Sequence, residues 1–178
     1  MSSAEGSDDI PFRDALAGLQ RGDFSRLAPM FEKSGSTRPR IVQWYEQGRF
    51  TNHPQESAEA LTCACFLGLT DVAEYLLAQG LAPSGGIGTG LNAFHWAANR
   101  GQIAAVRLLI RHQAPLEARN MYGGTVLGGT VWAAVHETKP SHPSILEELL
   151  NAGANVGEAD YPTGDTRVDN LLRRFGAG

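Results

Sequence analysis

Five histidines and two cysteines are the residues of this chain best suited to catalysis or metal ligation, and their spacing argues against both roles. His53, His95, His112, His136 and His142 are scattered, with neither an H-E-x-x-H pair for zinc nor a G-x-S-x-G elbow for an activated serine. A general base needs an acid or a nucleophile within hydrogen-bond reach, and the local sequence offers His95 none. Titratable groups gather at one place, where His136-Glu137 stands near His142. That stretch, Glu137-Thr-Lys-Pro-Ser-His-Pro143, has the prolines of turn material, and a solvated loop accounts for it. Cys63 and Cys65, two apart on a helix, point about 200° from one another, so they neither chelate one metal nor pair. Both read as small hydrophobes. Pro83-Ser-Gly-Gly-Ile-Gly-Thr-Gly90 has the glycines of a phosphate cradle but lacks the preceding strand and the Lys-Ser/Thr that such cradles use. The expectation is therefore no catalytic residue, no metal and no cofactor.

Composition narrows the class further. A chain of 178 residues with 42% hydrophobic and 19% charged content is one soluble domain able to bury a sizeable core. Its net charge is −4, and its 15 basic residues are dispersed, so it lacks the basic stripe that neutralises phosphates; no nucleic-acid partner is expected. The longest apolar run, Val126–Val135, is interrupted by glycines and too short to cross a bilayer, so no membrane role is expected either. The acidic, polar opening has neither the basic nor the apolar region of a signal peptide, and residues 1–10 read as a disordered leader. Cytoplasm and a monomer are the default expectations.

Helical patterning begins with Pro11–Gln20, where Pro11 suits the first helical position, Asp9 can cap, and Phe12, Ala15, Leu16 and Leu19 form one stripe. Gly22-Asp23 opens a second segment with Leu27, Met30 and Phe31 inward; Pro29 in its interior should cost about 3 kcal/mol unless the segment kinks. Pro39–Gln47 is a short amphipathic helix carrying Ile41, Val42, Trp44 and Tyr45, stopped by Gly48. Beyond it the chain copies itself at an offset of 33. Ala64-x-x-x-Gly68 returns as Ala97-x-x-x-Gly101, and Ala73, Leu76 and Leu77 return as Val106, Leu109 and Ile110. Gly90 returns as Gly123, and Leu61, Phe94 and Leu127 form a further ladder. A fixed period of about 33 residues is the mark of a solenoid of helix-turn-helix units.

The repeated words Asn92-Ala93-Phe94-His95-Trp96-Ala97-Ala98 and Val106-Arg107-Leu108-Leu109-Ile110 resemble the T-P-L-H-x-A-A and I/V-V-x-x-L-L lines of the ankyrin repeat. The resemblance implies an all-α ankyrin-repeat solenoid with hairpin fingers. About three repeats would fill residues 54–157. A degenerate N-terminal helical cap with an extra helix would fill 11–53, and a capping helix 158–178. Leu149-Leu150 lies 40 residues beyond Leu109-Ile110, so the third repeat carries a seven-residue insert within 136–144, after which Ser144-Ile-Leu-Glu147 reads as a capping box. The extra Trp44-Tyr45 helix is either packed on the stack or part of a functional edge.

By the same resemblance His95 ties neighbouring units through backbone bonds, and Pro83–Gly90 is a soft first finger. Arg119, Met121 and Tyr122 fall on the second finger. Phe66 and Leu67, Asn99 and Arg100, and Trp132 and Ala133 fall at the exposed ends of successive first helices, forming a concave stripe. The candidate partner-binding residues are Asn99, Arg100, Arg119, Met121, Tyr122 and Trp132, types that serve as anchors at interface centres. Two alternatives stand: Phe66 and Leu67 lie under the Trp44-Tyr45 helix, or Trp132 is core where Gly128-Gly129 replaces the histidine and its neighbour. The implied function is a non-catalytic scaffold that binds a protein partner. Its rival is a small-molecule-binding protein or enzyme with a pocket between the extra helix, the glycine finger and the irregular third repeat. A purely structural segment would show no exposed aromatic stripe.

Overall fold

A computed structural model describes residues 5–24, 27–33, 37–86 and 90–178, with side chains from Pro11 onward. The fold is all-α. Three N-terminal helices, the long α1 (Glu5–Arg21) and the short α2 (Ala28–Phe31) and α3 (Arg40–Glu46), precede three helix pairs. The pairs are α4 (Pro54–Leu67) with α5 (Thr70–Ala78), α6 (Ala93–Asn99) with α7 (Ile103–Arg111), and α8 (Val126–His136) with α9 (His142–Asn151). A 3₁₀ turn at Val156–Glu158 leads to α10 (Thr166–Arg174). First helices pack on first helices, α4 on α6 and α6 on α8. Second helices do likewise, α5 on α7 and α7 on α9.

The repeated residues are what make these layers. Leu61, Phe94 and Leu127 are buried in α4, α6 and α8, and Leu76, Leu109 and Leu149 are buried in α5, α7 and α9. Ala64 and Ala97, fully buried, let successive first helices approach closely. Each first helix of the later repeats is started by a side-chain cap: Asn92 accepts from the backbone N–H groups of Phe94 and His95, and Thr125 from that of Gly128. At the far end, α10 turns Val168, Leu171 and Leu172 inward and leaves Arg167, Arg173 and Arg174 exposed. That arrangement closes a stack whose last layer would otherwise expose core.

Glycines set the link between the helices of a pair. Gly68 and Gly101 have φ of +73° and +77°, a region costly for residues with a Cβ. Each also lies under the next repeat: a Cβ on Gly68 would strike the Gln102 carboxamide, and one on Gly101 would stand 2.6 Å from Ser141 Oγ.

Several local expectations change. Helix α1 starts at Glu5, so residues 5–10 of the expected leader are helical and Pro11 lies inside the helix rather than at its first position. An acidic opening (Glu5, Asp8, Asp9) suits the positive end of a helix dipole, a consideration the leader reading omitted. Asp9, expected as the cap, falls within α1 and not before it, and residues 1–4 lie outside the described residues. Pro29 sits in the first turn of α2, where no helical hydrogen bond is lost, so the interior penalty does not arise. No strand occurs among the described residues, and the second finger is a turn closed by Asn120 rather than a ladder. Helix α9 begins at His142 with Pro143 in its first turn, which places Ser144 inside the helix, so the expected capping box does not form. Part of the insert lengthens α8, which runs 11 residues against 7 in α6.

Candidate functional site

Several of the side chains with the chemistry for catalysis hold the fold together. His95 is buried, with Nδ1 2.8 Å from Asn92 Oδ1 and Nε2 3.3 Å from the Gly124 carbonyl, so it ties α6 to the second finger. Burial pushes its pKa below the ordinary imidazole value, against the pull of the Gly124 and Ala118 carbonyls. Cys63 and Cys65 are buried free thiols, and burial pushes both up to about 12, far from a reactive thiolate. In the glycine run, the Gly86 carbonyl accepts from the buried Thr62 hydroxyl at 3.0 Å, which seats the start of the first finger on α4; residues 87–89 lie outside the described set. Among the described residues no group of three or more His, Cys, Asp or Glu could hold a metal ion, and no helix is long and apolar enough to cross a membrane.

His142 corrects the picture of the insert as a solvated loop. His136 and Glu137 are exposed, but His142 is fully buried. Its Nδ1 accepts from the Lys139 N–H at 3.2 Å, and its Nε2 lies 3.1 Å from the Asn99 carbonyl, bonds that match one neutral tautomer. Ser141 Oγ adds a bond of 2.7 Å to the Gly101 carbonyl. The same clamp exists one repeat earlier, where Gln102 Nε2 donates to the Phe66 carbonyl at 3.3 Å. His142 stands 40 residues after Gln102, as Leu149 stands 40 after Leu109, so it fills the Gln102 position in the third repeat.

A pH dependence follows from that clamp. Burial, first, and then Lys139 hold the His142 pKa below its ordinary value of 6.5, while the Asn99 carbonyl and Glu137 pull the other way. The folded state therefore binds this proton less readily than the unfolded chain. The stability is whole above about pH 6.5 and falls as pH drops through and below that value. Denaturant midpoints measured between pH 8 and 5 should decline for the wild type. They should decline less for His142→Gln, which keeps a donor for Asn99 and removes the titration. Parallel pH profiles for the two proteins would contradict the assignment.

The candidate binding residues occupy the first-helix face and the second finger. Met121, Tyr122 and Trp132 are 67%, 80% and 55% exposed, and with Leu67 they are the exposed large hydrophobics among the described residues. Met121 is held at the finger by its N–H bond to the Gly90 carbonyl, and Tyr122 N–H donates to Asn120 Oδ1. Trp132 is surface rather than core, packed on the His136 ring at 5.0 Å. It stands 33 residues after Asn99, at the same place on the first-helix face. A Cβ at Gly128, the position of the repeat histidine, would stand 2.8 Å from the Glu158 carbonyl, so the backbone of the 3₁₀ turn takes the histidine's place. Ala133, expected beside Trp132 on the surface, is buried, because the helical turn sends it to the core side.

Arg100 is exposed, with its guanidinium 4.5 Å from the Phe66 ring centre, and Asn99 is half-buried beside it. Arg119 is exposed but engaged, bonding the Gly123 carbonyl at 2.8 Å and Glu158 at 2.9 Å, so it braces the finger. The Trp44-Tyr45 helix does not cover Phe66: Trp44 packs on Phe12, and Tyr45 on Phe50 and Tyr75. Phe66 instead forms an aromatic row with Phe24 and Trp96, at 5.3 and 5.0 Å. Trp96 and Phe24 were not among the expected candidates but adjoin them, and Trp96 stands 33 residues before Gly129 and three before Asn99. Asn120 and Gly129 join finger to helix face, since a Cβ on Gly129 would lie 3.5 Å from Asn99 Oδ1 and 4.0 Å from Asn120 Nδ2. Tyr122 and Trp132 make no ring contact with each other among the described residues.

Among the described residues, the parts of the rival pocket border different cavities. Tyr45 lines a cleft of about 430 Å³ with the start of the first finger, whereas His142 lines a separate cavity of about 160 Å³ beside α10; Trp132 borders neither.

A family model described as ankyrin repeats (3 copies) matches residues 62–160, more than half of the chain. No curated protein matches the sequence. Ankyrin repeats are generally protein–protein interaction modules, and the family is typically non-enzymatic. With its period of 33, its buried ladders and its matched residues, the chain belongs to the ankyrin-repeat family.

Proposed function

We propose that this protein is a non-catalytic scaffold that captures a protein partner on its concave, first-helix face and second finger. The observation that carries this reading is the placement of its exposed large hydrophobics. Leu67, Met121, Tyr122 and Trp132 all lie on the finger or on first helices, while the second-helix layer shows charges such as Arg107, Glu74 and Arg111. Apolar side chains gathered on one face of a domain mark an interaction surface. A stacked array holds these anchors in place before binding, so little ordering entropy opposes association. The buried histidines are engaged by backbone groups, which suits a binding role rather than acid–base work.

Replacing Tyr122 and Trp132 together by Ala should leave the melting temperature close to wild type, since both side chains are largely exposed. Partner capture should weaken by about 2 kcal/mol or more, roughly 30-fold in affinity. Quantitative mass spectrometry of affinity captures from the native cell, wild type against double variant, reads this directly. A folded double variant that captures the same protein equally well would move the binding surface elsewhere.

A further inference from the structure

Asn99 and Arg100 end α6 side by side, and each leaves hydrogen-bonding capacity unused. Asn99 Oδ1 is buried without a hydrogen-bond partner among the described residues. Leaving such an acceptor unsatisfied is unfavourable, and any donor that reaches it gains accordingly. Arg100 rests over the Phe66 ring and forms no ion pair among the described residues. Other arginines of the stack are spent: Arg107 on Glu148, Arg119 on Glu158, Arg174 on Glu147. Stacking on a ring restrains a guanidinium while leaving its N–H edges free, which is the geometry that grips a carboxylate through two parallel bonds.

Beside Asn99 the face is notched. The ladder position filled by Cys63 and Trp96 in the first two repeats is Gly129 in α8. A Cβ there would make only ordinary contacts with Asn99 and Asn120, so the empty space is not imposed by crowding. It gives the Asn99 carboxamide room to turn toward the groove. Trp96 precedes Asn99 by one helical turn and Trp132 follows Gly129 by one, which puts an aromatic on each side of the notch.

We propose that this notch receives an extended, acidic segment of a protein partner, its carboxylate paired with Arg100 and a nearby main-chain N–H donated to the Asn99 carboxamide. The proposal rests on the first-helix face being the partner-binding surface. Arg100 leans toward α4 and Asn99 toward α8. With packed helices about 8–10 Å apart and an extended chain rising about 3.3 Å per residue, the carboxylate and the N–H belong roughly three residues apart. The chain's net charge of −4 supplies no long-range attraction for an acidic segment, so the selectivity is local to Arg100.

The test is a display selection of random dodecapeptides on the intact protein, followed by calorimetry with the selected peptides as synthetic ligands. The expected peptides share an Asp or Glu at a fixed position. Their affinity should fall about tenfold or more with Arg100→Gln, and equally when the peptide's acid is changed to its amide. Gly129→Ala should weaken the same peptides while the melting temperature holds or rises, because Ala favours a helix and the added Cβ has space. Selected peptides without a shared acid, or indifferent to Arg100→Gln, overturn the acidic-segment proposal. If those peptides still lose binding with Tyr122→Ala and Trp132→Ala, the binding face itself stands. Peptides indifferent to all of these variants, or a selection without binders, count against both.

Discussion

Truncating Phe94 to Ala will destabilise the protein by about 3–5 kcal/mol, the range for emptying a large aromatic from a sealed core. Phe94 is fully buried at the middle of the Leu61–Phe94–Leu127 ladder, in a helix packed on α4 on one side and α8 on the other. The cavity therefore removes support from two repeats at once. In a stack held by nearest-neighbour interfaces, a central lesion lowers the stability of the units on both sides. Hydrogen exchange should quicken in α4 and α8 as well as in α6. Exchange that changes in α6 alone would contradict the stacked array.

Trp44→Ala should cost a similar amount, about 3–5 kcal/mol, yet act in a different place. Trp44 is 1% exposed and meets Phe12 edge-on at 5.2 Å, joining α3 to α1. Edge-to-face aromatic pairs contribute beyond their buried area, so losing this one unseats the N-terminal helices. Fast exchange should appear across α1–α3 and reach α4 through its contact with α1, while α7, α8 and α9 keep their protection. If both variants loosen every helix equally, the chain folds as one cooperative core rather than as an array.

The fold was legible because its energetic elements recur. Small residues such as Ala64 and Ala97 and large ones such as Leu76 and Leu109 return at the same step, and a period is hard to mimic by chance. The irregular parts were less legible because their determinants are not local. Pro140 and Pro143 announce a turn, but only the offset of 40 from Gln102 to His142 reveals that the turn is pinned under the preceding repeat. The missing histidine at Gly128 is explained by the Glu158 backbone, 30 residues away in sequence. Within the candidate site, the finger residues could be placed from the repeat register alone. The surface position of Trp132 follows from that register too, whereas the engagement of Arg119 by Glu158 depends on that same distant 3₁₀ turn, which no periodicity encodes.

The central claim, that the first-helix face captures a protein, is tested most directly by site-specific photocrosslinking in the native cell. A photoreactive residue is placed at position 132 in one protein and at position 74 in another; Trp132 is on the first-helix face, and Glu74 is exposed on α5 in the second-helix layer. Covalent adducts to one defined protein from position 132, with none from position 74, are the predicted result. Adducts from position 74 with none from 132 would contradict the claim.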